Sequence, residues 1–143
     1  VSELRIERVY PIAPERLFDY VTKAENVVRW WGPEGVTPTD VNLDLTHTGA
    51  WTFAMTGPNG TFEMCGVVQE VNPPRAVQFT MNTPGETGAD SIVRFEIAPE
   101  GSGSRFTLIQ CGITDEMVAM GKRGWGMTLA RLEKLMGVGN TAE

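Results

Sequence analysis

Apolar positions recur at helical spacing over one stretch, residues 114–137. Met117, Met120, Gly121, Gly124, Trp125, Thr128, Leu129, Leu132, Leu135 and Met136 share one arc. Asp115, Glu116, Lys122, Arg123, Arg131, Glu133 and Lys134 take the remaining arc. This spacing predicts one long amphipathic helix.

Most of the chain before that helix alternates apolar and polar residues with a period of two, which predicts strands. Leu4 and Ile6 oppose Arg5, Glu7 and Arg8, with Val9 on the apolar side. Later rows are Val41, Leu43 and Leu45; Trp51, Phe53 and Met55; Val77, Phe79 and Met81; Val93, Phe95 and Ile97; and Phe106, Leu108 and Gln110. Residues 61–71 keep no single phase. Phe62, Met64 and Val68 fall on one face and Cys65, Val67 and Val71 on the other, so a bulge near Gly66 is expected to switch faces.

Turn chemistry separates these rows: Thr48-Gly49, Gly57-Pro58-Asn59-Gly60, Asn72-Pro73-Pro74, a polar loop over 82–90, and 99–104. Connections of hairpin length predict antiparallel pairing. After the first strand, Pro14 can open a short helix that buries Leu17, Phe18 and Val21. A second short helix or turn covers 24–31, and Gly32-Pro33-Glu34-Gly35 ends it. The predicted order is strand, two small helices, six strands and a long helix, an α+β chain with about seven antiparallel strands. Its apolar sheet face and its long helix have to pack together.

The 143 residues suit one domain over 1–143, and 41% hydrophobic with 21% charged residues is ordinary for a globular chain. A net charge of −6 disfavours nucleic-acid and anionic-membrane partners. No apolar run reaches the ~18 residues of a membrane span, and no signal segment is recognisable, so the cytoplasm is the expected location. Cys65 and Cys111 are expected to be reduced and buried. With His47 they match no metal-ligand spacing, so no metal and no cofactor is expected.

The residues expected to point between sheet and helix are Trp51, Phe53, Met55, Phe79, Met81, Phe95, Phe106 and Leu108 from strands, and Met117, Met120, Trp125 and Leu129 from the helix, with Gly121 beside them. Either they line a ligand cavity or they fill the interior. Seven methionines suit an adaptable apolar pocket. Gln110 is the polar residue in its inward row and orients a ligand or bonds within the protein. Gly121 and Gly124 cost ~1 kcal/mol each in a helix, so they either give room to a close neighbour or mark a kink. His47 falls in a turn. Asp40, Asp44 and Glu63 have no spacing for acid–base work, and Gln110, Asn82, Glu63 and Tyr20 are only loose candidates for an enzyme site. No catalytic residue is assigned.

Ala13-Pro14 with Leu17-Phe18, Arg29-Trp30-Trp31-Gly32-Pro33, Val41 to Asp44, Gly49 with Trp51, Gly57-Pro58-Asn59-Gly60, Gly66 with Glu70 to Pro74, and Gly124-Trp125 with Leu129 and Leu132 form a combined pattern. It resembles the activator-of-Hsp90-ATPase-like family of the START/Bet v 1-like helix-grip superfamily, over nearly the whole chain. The resemblance implies a curved antiparallel sheet gripping the C-terminal helix around a hydrophobic cavity. It places Trp30 and Trp31 near the cavity mouth, as lid or as plug. One departure is Asp44-Leu45-Thr46-His47-Thr48-Gly49, where family members often carry Asp-x-Arg-x-Gly-Gly; Thr46 stands in place of the Arg.

Members of that superfamily bind lipids, hormones or polyketides, some are cyclases, and some act on a chaperone. Fold does not fix which. The first expectation is a domain that binds a hydrophobic small molecule of lipid or polyketide type. The alternatives are an activator of an Hsp90-type chaperone and a cyclase- or hydrolase-like enzyme using the same cavity. Monomer and homodimer both stay open.

Overall fold

The alternating rows form seven strands: β1 Ser2–Tyr10, β2 Thr37–Asn42, β3 Gly49–Gly57, β4 Gly60–Asn72, β5 Ala76–Met81, β6 Ser91–Glu100 and β7 Gly103–Ile113. The computed structural model describes residues 2–31, 37–42, 44–57, 60–81 and 91–137, with side chains described at all of these except 2, 37–42, 55 and 62. The strands make one sheet in the order β1-β7-β6-β5-β4-β3-β2, and every pairing is antiparallel. From β2 to β7 each strand lies beside its sequence neighbour, as short connections require. β1 and β2 are the two edges, so the link between them crosses the sheet and carries α1 Pro14–Thr22 and α2 Ala24–Trp30. The expected break at 32–35, the loop at 82–90, and Val36, Leu43, Pro58 and Asn59 lie outside the described residues.

The long helix, α3 Asp115–Met136, closes the chain. Thr114 caps it, its side-chain oxygen accepting the Met117 N–H at 3.3 Å. Gly137 ends it in the left-handed conformation at φ 76°, which a Cβ would disfavour. Between these caps the apolar stripe faces the sheet, where Trp125 meets Phe95.

Two phase expectations need correction. On β1, Val9 is exposed, and the inner row continues from Leu4 and Ile6 to Tyr10. On β4, the face switch comes later than Gly66. The register with β5 slips between Val68 and Glu70, leaving Gln69 as the extra residue, so Met64, Gly66 and Val68 share the inner face.

Gly66 has a different role. The Trp51 indole crosses it to donate to the Thr80 carbonyl at 2.9 Å, and a Cβ there would collide with that carbonyl. The Val67 N–H donates to the Thr80 hydroxyl at 2.9 Å.

Glu133 was expected on the polar arc but is buried. It accepts from the Tyr10 hydroxyl at 2.8 Å and from Arg8 at 3.2 Å, joining β1 to the C-terminal half of α3. Burial, then the hydrogen bond and charge of Glu133, push the Tyr10 phenol well above its ordinary range.

Candidate functional site

The core beneath the C-terminal half of α3 is filled by rings. Trp31, delivered by the end of α2, touches Trp51, Phe53 and Phe79 at centroid distances of 6.4, 6.2 and 6.1 Å. Phe95 stacks edge-on against Phe79 and leans on Phe106, each at 5.4 Å. Trp31 and Trp125 meet edge to face at 5.4 Å and 87°. These rings interlock in the offset geometries that aromatic pairs prefer and leave little space between them.

Past the Trp31–Trp125 contact the packing stops. A cavity of about 320 Å³ lies there, within the lower part of the usual range for small-molecule pockets. Met117, Met120, Gly121, Gly124, Trp125 and Thr128 of α3 form one wall. Met64 of β4, Met81 at the end of β5, and Gln110 and Ile113 of β7 form the other, with Trp31 at the back. Among these described residues none is charged.

Two glycines on the same helical stripe act differently. A Cβ on Gly121 would come 2.7 Å from Leu4 Cδ1, so this position lets α3 approach β1. A Cβ on Gly124 would meet nothing within 4 Å, so its missing side chain is part of the cavity itself.

Polar groups hold the wall in place. The Trp125 indole N–H donates to Gln110 Oε1 at 2.9 Å, and Gln110 Nε2 donates to Ser91 Oγ at 3.3 Å. Ser91 in turn donates to the Met81 carbonyl at 2.7 Å. This relay runs across β7, β6 and β5 and fixes the Trp125 ring over the cavity. Gln110 thus bonds Trp125 and Ser91, which uses one of its two acceptor positions and one of its two N–H donors.

The residues singled out from sequence divide into two groups. Trp31, Met81, Gln110, Met117, Met120, Gly121 and Trp125 come together around the cavity. Trp30, Trp51, Phe53, Phe79 and Phe95 are instead core residues that fill the interior where the cavity was expected to extend. Trp30 is a plug, fully buried, with its indole N–H on the Tyr20 carbonyl at 2.8 Å. The side chain of Met55, like Asn82, lies outside what is described.

The sequence pattern did not point to Met64, Ile113 or Thr128 as site residues, and it marked Gly124 only as room for a close neighbour. Thr128 and Gly124 were on the helical stripe already. Ile113 turns inward because Gly112, at φ 78°, sits opposite a register slip on β1 and reverses the alternation.

The remaining candidates stand elsewhere. Glu63 is exposed on the outer sheet face, and Tyr20 lies on α1 under Arg16. Cys65 and Cys111 are free and only partly buried, short of the expected full burial. His47 is 73% exposed, 3.5 Å from Asp44. Burial would raise the Asp44 carboxyl, but hydrogen bonds from the Thr46 hydroxyl and N–H, helped by His47, hold it below its ordinary value. Thr46 therefore meets the carboxylate where an Arg stands in the pattern that the chain resembles. Among the described residues no group of three or more His, Cys, Asp or Glu is arranged to hold a metal ion, and no helix is long and apolar enough to cross a membrane.

A family model described as activator of Hsp90 ATPase homolog 1-like protein matches residues 11–137. The chain belongs to this family. Its fold is the helix-grip fold of that family, with the long helix held against the antiparallel sheet. The AHSA1 protein of Silicibacter pomeroyi is 33% identical over 96% of this chain and 99% of its own, with a TM-score of 0.87. A protein of Chromobacterium violaceum is 23% identical over 93% of this chain and 95% of its own, with a TM-score of 0.83. CalU16 of Micromonospora echinospora shares the fold at 20% identity and a TM-score of 0.68, over 95% of this chain and 80% of its own. Among curated proteins, none matches.

Proposed function

We propose that residues 1–143 act as one domain that binds a small apolar molecule in the cavity under α3 between Met117 and Thr128. The observation that carries this reading is a wall, uncharged among the described residues, around about 320 Å³ of space that Gly124 leaves open. Four methionines, Met64, Met81, Met117 and Met120, surround that space with flexible, polarisable side chains. Affinity comes from apolar area removed from water, at roughly 25 cal/mol per Å² before the costs of association. Binding a ligand to the folded state alone raises the melting temperature. The test is a thermal-shift and tryptophan-fluorescence screen of the purified protein against a lipophilic library. Saturable shifts support the reading, and their absence across the library removes it.

The family description favours a second reading, activation of an Hsp90-type chaperone. Hsp90 ATPase rates measured with and without this protein separate the two. An unchanged rate removes the second reading. An enzyme reading has less support, because the described wall offers no titratable side chain for proton transfer.

A further inference from the structure

Among the described residues that line the cavity, Thr128 carries a buried polar atom with no use within the protein. Thr128 is 5% exposed, yet its hydroxyl has no hydrogen-bond partner. No described buried side-chain nitrogen or oxygen is both sealed from solvent and unpartnered, so the Thr128 oxygen reaches open space. The open space beside it is the cavity, whose wall Thr128 helps to form. A hydroxyl held there can donate one hydrogen bond and accept others. The nearby amide oxygen of Gln110 already accepts one bond from Trp125, whereas the Thr128 hydroxyl has none.

We infer that the ligand is a small, neutral aromatic molecule carrying one hydrogen-bonding oxygen, a phenol or an aryl ketone, with that oxygen on Thr128. The inference rests on the binding reading above and narrows it. Charge is disfavoured because the described wall has no ion to pair with a buried carboxylate or ammonium. The volume suits a compact molecule better than a long acyl chain held whole. A water molecule takes about 30 Å³ of liquid, so about 320 Å³ holds on the order of ten non-hydrogen atoms, a one- or two-ring compound. The aromatic preference comes from the wall itself. Trp31 and Trp125 present ring edges and faces, and methionine sulfurs favour contact with aromatic rings.

The experiment compares 2-naphthol with naphthalene by tryptophan-fluorescence titration of wild type, Thr128→Val and Thr128→Ser. Valine keeps the shape and removes the hydroxyl, and serine keeps the hydroxyl. The expected result is that 2-naphthol binds Thr128→Val about tenfold more weakly than wild type, the scale of one hydrogen bond. Thr128→Ser recovers most of that loss, and naphthalene binds wild type and Thr128→Val alike. Equal 2-naphthol affinity in wild type and Thr128→Val, with naphthalene still bound, overturns the assignment to Thr128 and leaves the binding reading standing. Saturation of none of the three proteins by either compound overturns the aromatic inference, and the lipophilic library then decides the binding reading by itself.

Discussion

The two halves of α3 carry the same apolar stripe and meet different surroundings. From Leu129 onward the stripe is closed over by the core, with Leu129 and Leu132 fully buried. Before Trp125, Met117 and Met120 are 47% and 68% exposed, although they lie on the same arc. The difference comes from what the sheet and α2 send up beneath each half. Under the second half stand Phe95, Phe106 and the Trp31 ring; under the first, two glycines and the ends of β4, β5 and β7 leave a gap. An amphipathic pattern thus identifies the inward face of a helix but not whether anything fills the space it faces.

The strongest way to break this comparison is to truncate one side chain from each half. Leu129→Ala is expected to cost about 2–5 kcal/mol in urea denaturation, because a sealed site cannot collapse onto the cavity it leaves. Met120→Ala is expected to stay within about 0.5 kcal/mol, as for other surface changes. Equal costs would mean that the two halves are packed alike.

The next effect concerns the anchor of the sealed half. Tyr10→Phe removes the hydrogen bond to Glu133 and is expected to cost about 1–2 kcal/mol at neutral pH. Its pH dependence has a definite sign. The folded state holds the Tyr10 phenol above its ordinary value of 10.0, so the tyrosine of the unfolded chain ionises first. Stability from this group is complete below about pH 10 and falls as pH rises beyond it. Denaturation curves between pH 9 and 11 should therefore fall less steeply for Tyr10→Phe than for wild type, and identical slopes would contradict the assignment.

The smallest effects sharpen the contrast within α3. Gly126→Ala and Gly124→Ala each place a Cβ in open space and should stabilise by up to about 1 kcal/mol through helix propensity. Gly121→Ala should gain less, because its Cβ presses on the buried Leu4 side chain. Of the two stabilising changes, only Gly124→Ala should weaken ligand binding, since only Gly124 lines the cavity. Equal binding in all three variants would move the ligand elsewhere.

Much of the fold was legible because alternation and helical spacing follow directly from which side chains meet water. Val93-Phe95-Ile97 and Phe106-Leu108-Gln110 face inward as their period requires. Arg8 and Glu133 were not legible. A charged residue in an apolar row reads as the row's end until its partner on a distant element is known. The phase of β4 was hidden because its bulge arises from pairing with β5, which no local pattern encodes. In the site, the helical stripe was readable and the extent of the cavity was not. Whether Phe53 and Phe79 line a hollow or fill one depends on where Trp31 swings, and that is set by the α2 exit. Gly112 before Ile113 was a readable hint, since a glycine at the end of an alternating row often marks a change of face.

The central claim is that a small apolar ligand enters under α3 between Met117 and Thr128 and nowhere beyond Leu129. Methionine ε-methyl NMR tests it most directly, with naphthalene titrated into protein labelled at those methyls. The account predicts saturable shifts at Met64, Met81, Met117 and Met120, with Met127 on the outer face and Met136 in the sealed half unmoved. Shifts of equal size at Met127 and Met136, or no saturable shift at the four cavity methionines, would contradict it.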